Sequence, residues 1–152
     1  MNALTVSVIG TPAPQGSKRG FVNRHSGKVS MVESSSERVK TWRADVREAA
    51  TRGVEDGLWL LERGPVAVTI DFYLARPKGH YGTGRNAAIL KSSAAKYPAG
   101  KPDLDKLERA TLDALTLVLF ADDSQVVQLA TRKRWADIPL PSGAIITIRT
   151  LT

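Results

Sequence analysis

Residues 101–127, KPDLDKLERATLDALTLVLFADDSQVV, carry two acidic pairs: Asp103 and Asp105, two apart behind Pro102, and the adjacent Asp122 and Asp123. Carboxylate oxygens are hard ligands that suit Mg²⁺. A cation so held neutralises charge developing on a phosphate and activates a bound water. Clustered without a cation, the same groups repel and raise one another's pKa. A structural role competes: Asp103 reads as a helix N-cap, and Asp105 suits the positive end of a first helical turn. Capping requires only one acid, however, and gives no reason for Asp122 and Asp123. A helix from 104 to about 119 would run roughly 24 Å at 1.5 Å per residue. Whether the two pairs meet therefore depends on how the following strand packs, which spacing leaves open.

The chain around these acids is basic. Its 152 residues carry a net charge of +7, from 22 Lys and Arg against 15 Asp and Glu. Such a surface attracts polyanions, because contact with a phosphate backbone releases condensed counterions. There is no cysteine and there are only two histidines, His25 and His80. Disulfides, thiolate sites and cysteine nucleophiles are excluded, and zinc, which favours clustered His and Cys, is disfavoured. Cysteine absence suits a reducing cytoplasm. No apolar run approaches the roughly 20 residues of a membrane span, and residues 1–10 show no signal-peptide pattern. A Gly-rich phosphate loop of the G-x-x-x-x-G-K-[ST] kind is also missing, which counts against a nucleotide-handling enzyme.

The elements that must position the acids follow from periodicity. Residues 3–9 alternate apolar and polar and predict a strand. Residues 10–27 read as a loop punctuated by Gly and Pro and charged by Lys18, Arg19 and Arg24. A short strand is expected at 28–32. Residues 33–36 resemble a helix entry, with a serine as cap, and Val39, Trp42, Val46 and Ala49/Ala50 recur at helical spacing, so a helix is placed at about 35–52 and ended by Gly53. VAVTIDFYL at 66–74 is the strongest strand. Residues 76–102 show no period and form a long loop that carries Lys91, Lys96 and Lys101, with Tyr81 and Tyr97 interspersed. Basic and aromatic residues so mixed suit a DNA backbone and unstacked bases. The helical period returns from 103 to 119, a turn follows at 121–124, and strands are expected at 125–135 and 144–151. The whole predicts one α+β domain over residues 1–152: a mixed sheet of about four or five strands packed against two main helices.

PDLDKLERATLDAL followed by ADDSQVV resembles the pattern of the RusA family of Holliday junction resolvases: a D-L-D opening a helix, an L-D-A-L within it, then D-D-x-Q and a strand. The early GTPAPQGSKRG loop is similar to that family's N-terminal region. The resemblance implies a homodimeric endodeoxyribonuclease that resolves four-way DNA junctions by paired nicks in recombination and repair, using Mg²⁺ with Mn²⁺ as a substitute. It maps the family's metal-binding catalytic carboxylates onto Asp103, Asp105 and Asp123. Its basic active-site residue, six positions after the first aspartate, falls on Arg109, where the family usually has Lys. Arginine keeps the charge but does not readily give up a proton, so Arg109 would stabilise phosphate charge. Lys106 stands where the family usually has Asn, one turn from Arg109, and would share in holding DNA with Lys18, Arg19, Arg24, Lys91, Lys96 and Lys101. Family members often come from phages and prophages acting in a bacterial host cytoplasm.

Two rivals stay in view. One is a broader structure-selective nuclease on flaps, forks or phage replication intermediates. The other is a non-catalytic protein that binds branched DNA.

Overall fold

The computed structural model describes residues 2–16, 18–33 and 36–152. The elements in chain order are β1 (Ala3–Ile9), β2 (Lys18–Val22), β3 (Val29–Glu33), α1 (Ser36–Glu55), β4 (Val66–Ala75), α2 (Leu104–Leu115), β5 (Val126–Ala136) and β6 (Gly143–Thr150). Strand alternation decides one face of a four-stranded sheet ordered β1-β6-β4-β5. β1 buries Leu4, Val6 and Val8 and leaves its other residues exposed. Its antiparallel register sets Leu4 opposite Ile148 and Val6 opposite Ile146. Val66, Val68, Ile70 and Phe72 of β4 are all buried on that same face. β4 is antiparallel to β6 and parallel to β5, so the sheet is mixed. The parallel pair is joined by residues 76–125, which include α2. The four strands and two helices form one α+β domain, as the periodicity predicts.

Both helices supply the apolar layer that covers this face. α1 contributes Val39, Trp42, Val46 and Ala50, and α2 contributes Leu107, Ala110, Ala114 and Leu115. A hydrogen-bond relay joins them inside the core. The Trp42 indole N–H donates to Thr111 Oγ1 at 3.1 Å, and that hydroxyl donates to the Leu107 carbonyl at 2.9 Å. A buried polar group without a partner costs about 1–3 kcal/mol, so Thr111 is matched to the tryptophan it faces.

Three expected boundaries are corrected. α1 does not stop at Gly53 but runs through it to Glu55. Gly53 serves close packing: a Cβ there would stand 3.0 Å from Leu4 Cδ2 on β1. α2 ends at Leu115, not near 119. Thr116 is extended, with its hydroxyl on the Leu112 carbonyl, and Leu117 takes a left-handed φ of 68°. The irregular turn still drops Leu119 and Phe120 into the core, so the apolar spacing imitates a longer helix. Residues 10–27 are not all loop, because Lys18–Val22 pairs antiparallel with β3 in a separate two-stranded hairpin. Its charged, Gly-containing sequence gives no alternation to read. In the hairpin turn, Asn23 Oδ1 accepts from the His25 and Ser26 backbone N–H groups. The expected serine cap at 34 or 35 lies outside the described residues.

Candidate active site and nucleic-acid surface

α2 begins at the end of the sheet where β4 and β5 finish. Asp103 occupies the N-cap position, with extended backbone, but its side chain makes no capping hydrogen bond. Its carbonyl accepts the Leu107 N–H at 3.1 Å, so the helix starts on the backbone alone. Asp103 Oδ2 lies 3.5 Å from Lys106 Nζ. Asp105, exposed in the first turn, has no ion pair among the described residues. A cap that does not cap, beside an unpaired acid, is what a ligand pair looks like and not what a helix start requires.

Several straps aim this helix end. Lys133 of β5 donates to the Gly100 and Pro102 carbonyls at 2.8 and 3.0 Å. Thr131 of β5 holds Glu108 of α2. On the other flank the Gln15 N–H donates to the Lys106 carbonyl at 3.1 Å, and Arg43 bridges Gln15 Oε1 and Asp113 Oδ2 at 2.6 and 3.3 Å. Asp113 is thereby a structural acid. Between the straps lies a cleft of about 760 Å³, lined among others by Pro12, Arg38, Lys101, Asp103, Lys106 and Trp135. Its floor is apolar and its rim basic, a shape suited to a sugar–phosphate backbone.

The loop at 76–102 divides into a pinned base and an exposed rim. Arg76 is a pin, with a side chain only 4% exposed. It pairs with Asp137, donates to the Ala95 carbonyl at 2.6 Å and stacks 5.1 Å from the Trp135 ring centre. His80 sets its ring edge-on to the same indole. Lys91 and Lys96 stand on the exposed rim, with Lys96 Nζ 5.5 Å from the Tyr97 ring centre. Arg24 is exposed in the hairpin turn. The side chains of Lys18 and Arg19 lie outside what is described.

The second acidic pair sits at the opposite end of α2. Asp122 opens a short 3₁₀ turn, Asp123–Gln125, with a reciprocal cap: its Oδ1 accepts the Ser124 N–H at 2.8 Å, and Gln125 Oε1 accepts the Asp122 N–H at 2.8 Å. The Ser124 bonds hold the Asp122 carboxyl below the ordinary aspartate range. Gln125 Nε2 also donates to the Glu62 and Gly64 carbonyls at 3.1 and 2.8 Å, fixing the turn to the segment before β4. Asp122 is therefore spent on the turn. Since β5 starts here and ends beside Asp103, Asp123 lies on the order of 20 Å from Asp103 within one chain, judged from strand and helix rise. Among the described residues, no three His, Asp or Glu side chains group closely enough to hold a metal ion. The structure thus brings Asp103, Lys101 and Lys106 to one cleft, keeps Asp105 exposed in the first turn and Arg109 exposed one turn beyond it, and leaves Asp123 apart.

Sequence reasoning missed Arg38 and the 11–16 segment as cleft walls. It also missed Lys133 as the strap that aims Asp103. For Lys133 the signal was its place in β5, alternating with Thr131 and Trp135 on the helix-bearing face.

Comparison with known proteins gives the family. The family model described as endodeoxyribonuclease RusA matches residues 11–149. The chain belongs to the RusA endodeoxyribonuclease family. An uncharacterized protein of Bacillus subtilis (strain 168), YqaN, is 30% identical over 142 residues, covering 91% of this chain and 92% of that protein. The RusA match takes in the whole of α2, both acidic pairs, β4 and β5, so the enzyme is a nuclease of the Holliday junction resolvase family. No helix among the described residues is long and apolar enough to cross a membrane.

Proposed function

We propose that this protein is a Mg²⁺-dependent endonuclease that resolves four-way DNA junctions by paired nicks, acting as a homodimer. The observation that carries the reading is the carboxylate pair at the start of α2, neither of which caps the helix. Asp103 takes the cap position without capping and lines a basic cleft, and Asp105 is exposed in the first turn beside it. An all-oxygen donor set fits a hard divalent cation, Mg²⁺ or Mn²⁺ in its place. Asp103, Asp105 and Asp123 are the residues that would hold it. Such a cation supplies charge neutralisation at the phosphate and an activated water.

The chain's own side chains do the rest. Lys101 and Lys106 at the cleft rim bind the backbone on either side of the scissile phosphate. Arg109, always charged, stabilises the negative charge that grows on it. Arg24, Lys91 and Lys96 hold the duplex arms by counterion release. The decisive test measures cleavage of a synthetic four-way junction by Asp105→Asn, alongside binding. Cleavage should be lost and binding kept. A variant that cuts at the wild-type rate would sink this assignment. Comparing four-way, three-way, flap and linear substrates separates a junction resolvase from a broader branched-DNA nuclease.

A further inference from the structure

Both legs of the hairpin made by β2 and β3 start at the cleft. Gly16, just before β2, and Arg38, in the first turn of α1 just after β3, both line it. The incoming leg is strapped down, with the Gln15 N–H on the Lys106 carbonyl and Gln15 Oε1 accepting from Arg43. From this base the two strands pair with each other in a sheet of their own.

The turn between them is held by its own bonds. The Asn23 N–H donates to the Lys28 carbonyl and the Gly27 N–H to the Asn23 carbonyl, each at 2.8 Å. Ser26 Oγ accepts the Lys28 N–H at 3.3 Å, and Gly27 takes a left-handed φ of 67°. Residues 22–29, VNRHSGKV, are all exposed and include Arg24, His25 and Lys28 but no acid. Arg24 and Lys28 make no ion pair among the described residues. Below the tip, Val22 and Val29 face each other across the strands, 61% and 64% exposed, and neither joins the core. An isolated hairpin is marginally stable in water, so an exposed valine pair under a purely basic tip suits a partner that is apolar inside and anionic at its edges.

The grooves of duplex DNA have that character. The two strands of a ribbon lie about 4.8 Å apart, and a major groove about 12 Å wide admits such a ribbon, whereas a minor groove about 6 Å wide does not. Phosphates line the groove edges, and thymine methyl groups lie on its floor. The five residues of β2, at about 3.4 Å each, carry the tip roughly 17 Å from the cleft. That is about five base pairs of duplex at a rise of 3.4 Å.

We propose that the β2–β3 hairpin is a groove-binding ribbon that enters the major groove of the duplex arm leaving the cleft, with Arg24 and Lys28 on the flanking phosphates and Val22 and Val29 toward the floor. The inference rests on the nuclease reading above and adds the groove and the place at which an arm is gripped. The grip fixes the arm relative to Asp103, and so fixes which phosphate the carboxylates reach.

Methylation interference on a four-way junction tests it, with the divalent cation withheld so that the DNA stays whole. Dimethyl sulfate modifies guanine N7 in the major groove and adenine N3 in the minor groove. With the wild type, N7 methylation about five base pairs from the nick position should weaken binding. The double variant Arg24→Gln, Lys28→Gln should lose that interference and lower the slope of log affinity against log salt by about 2. Because the chain has no cysteine, His25→Cys carries a single tethered iron chelate, whose cuts should cluster on the same arm at the same distance. Interference confined to adenine N3, interference unchanged in the double variant, or tethered cuts scattered over all arms overturns the ribbon. A wild type that binds and nicks junctions without N7 interference in the arm overturns the ribbon alone. A wild type with no preference for branched over linear DNA overturns the junction reading, and the ribbon falls with it.

Discussion

The two ends of α2 look alike in sequence, each with a pair of aspartates, and the structure uses them differently. At the N-terminal end neither acid caps the helix, and among the described residues Asp103 pairs only with Lys106. Asp103 leaves the cap unmade, and Lys133, Gln15 and Glu108 position the helix through other groups. At the C-terminal end Asp122 builds the turn, with Gln125 as its counterpart. A pair of acids is thus not a unit of function.

Substitutions can break this comparison. The largest effect is expected from Asp105→Asn. Loss of a ligand to a catalytic cation removes several kcal/mol of transition-state stabilisation, so cleavage should fall about 10³-fold or more, with thermal stability unchanged. Asp123→Asn should match that loss, while Asp122→Asn should keep most activity and lower stability instead. A deficit of similar size in Asp122→Asn cleavage at full stability would reverse the assignment. The pH dependence sharpens the contrast. Bonds from Ser124 depress the folded-state pKa of Asp122, so its contribution is present above the ordinary aspartate value and is lost as pH falls from there through the lower folded-state pKa. Denaturant melts of wild type and Asp122→Asn should therefore differ at neutral pH and converge in acid.

Gln125→Ala should come next, through stability. It strips partners from the Asp122 N–H and from the Glu62 and Gly64 carbonyls, which costs about 1–3 kcal/mol by chemical denaturation. Thr111→Val leaves the buried Trp42 N–H unpaired, with a cost in the same range. A neutral result for either would mean that water replaces the lost partner. The smallest effect belongs to the rim of the long loop. Neutralising Lys91 and Lys96 together should weaken junction binding and reduce the slope of log affinity against log salt by about 2. An unchanged slope would remove both lysines from the DNA surface.

Much of this was legible in the sequence. The alternation at 3–9 and the β-branched run at 66–74 set two strands and their buried face. Helical spacing of Val39, Trp42 and Val46 set α1, and the D-L-D and D-D-x-Q patterns singled out the acids. Less was legible where apolar spacing had two explanations, as with Leu119 and Phe120, which reach the core from a left-handed turn beyond the helix. The hairpin strand at 18–22 was silent because it pairs outside the main sheet, with no alternation of apolar residues to mark it.

The chain by itself thus determined which residue types stand at each end of α2, since ligand chemistry and helix periodicity are local properties. Only the tertiary structure decided that β5 returns parallel to β4. A parallel connection requires the intervening helix to run the other way, so the two acidic pairs end on opposite sides of the molecule. Distance in space is set by that topology and not by the 20 or so residues between the pairs.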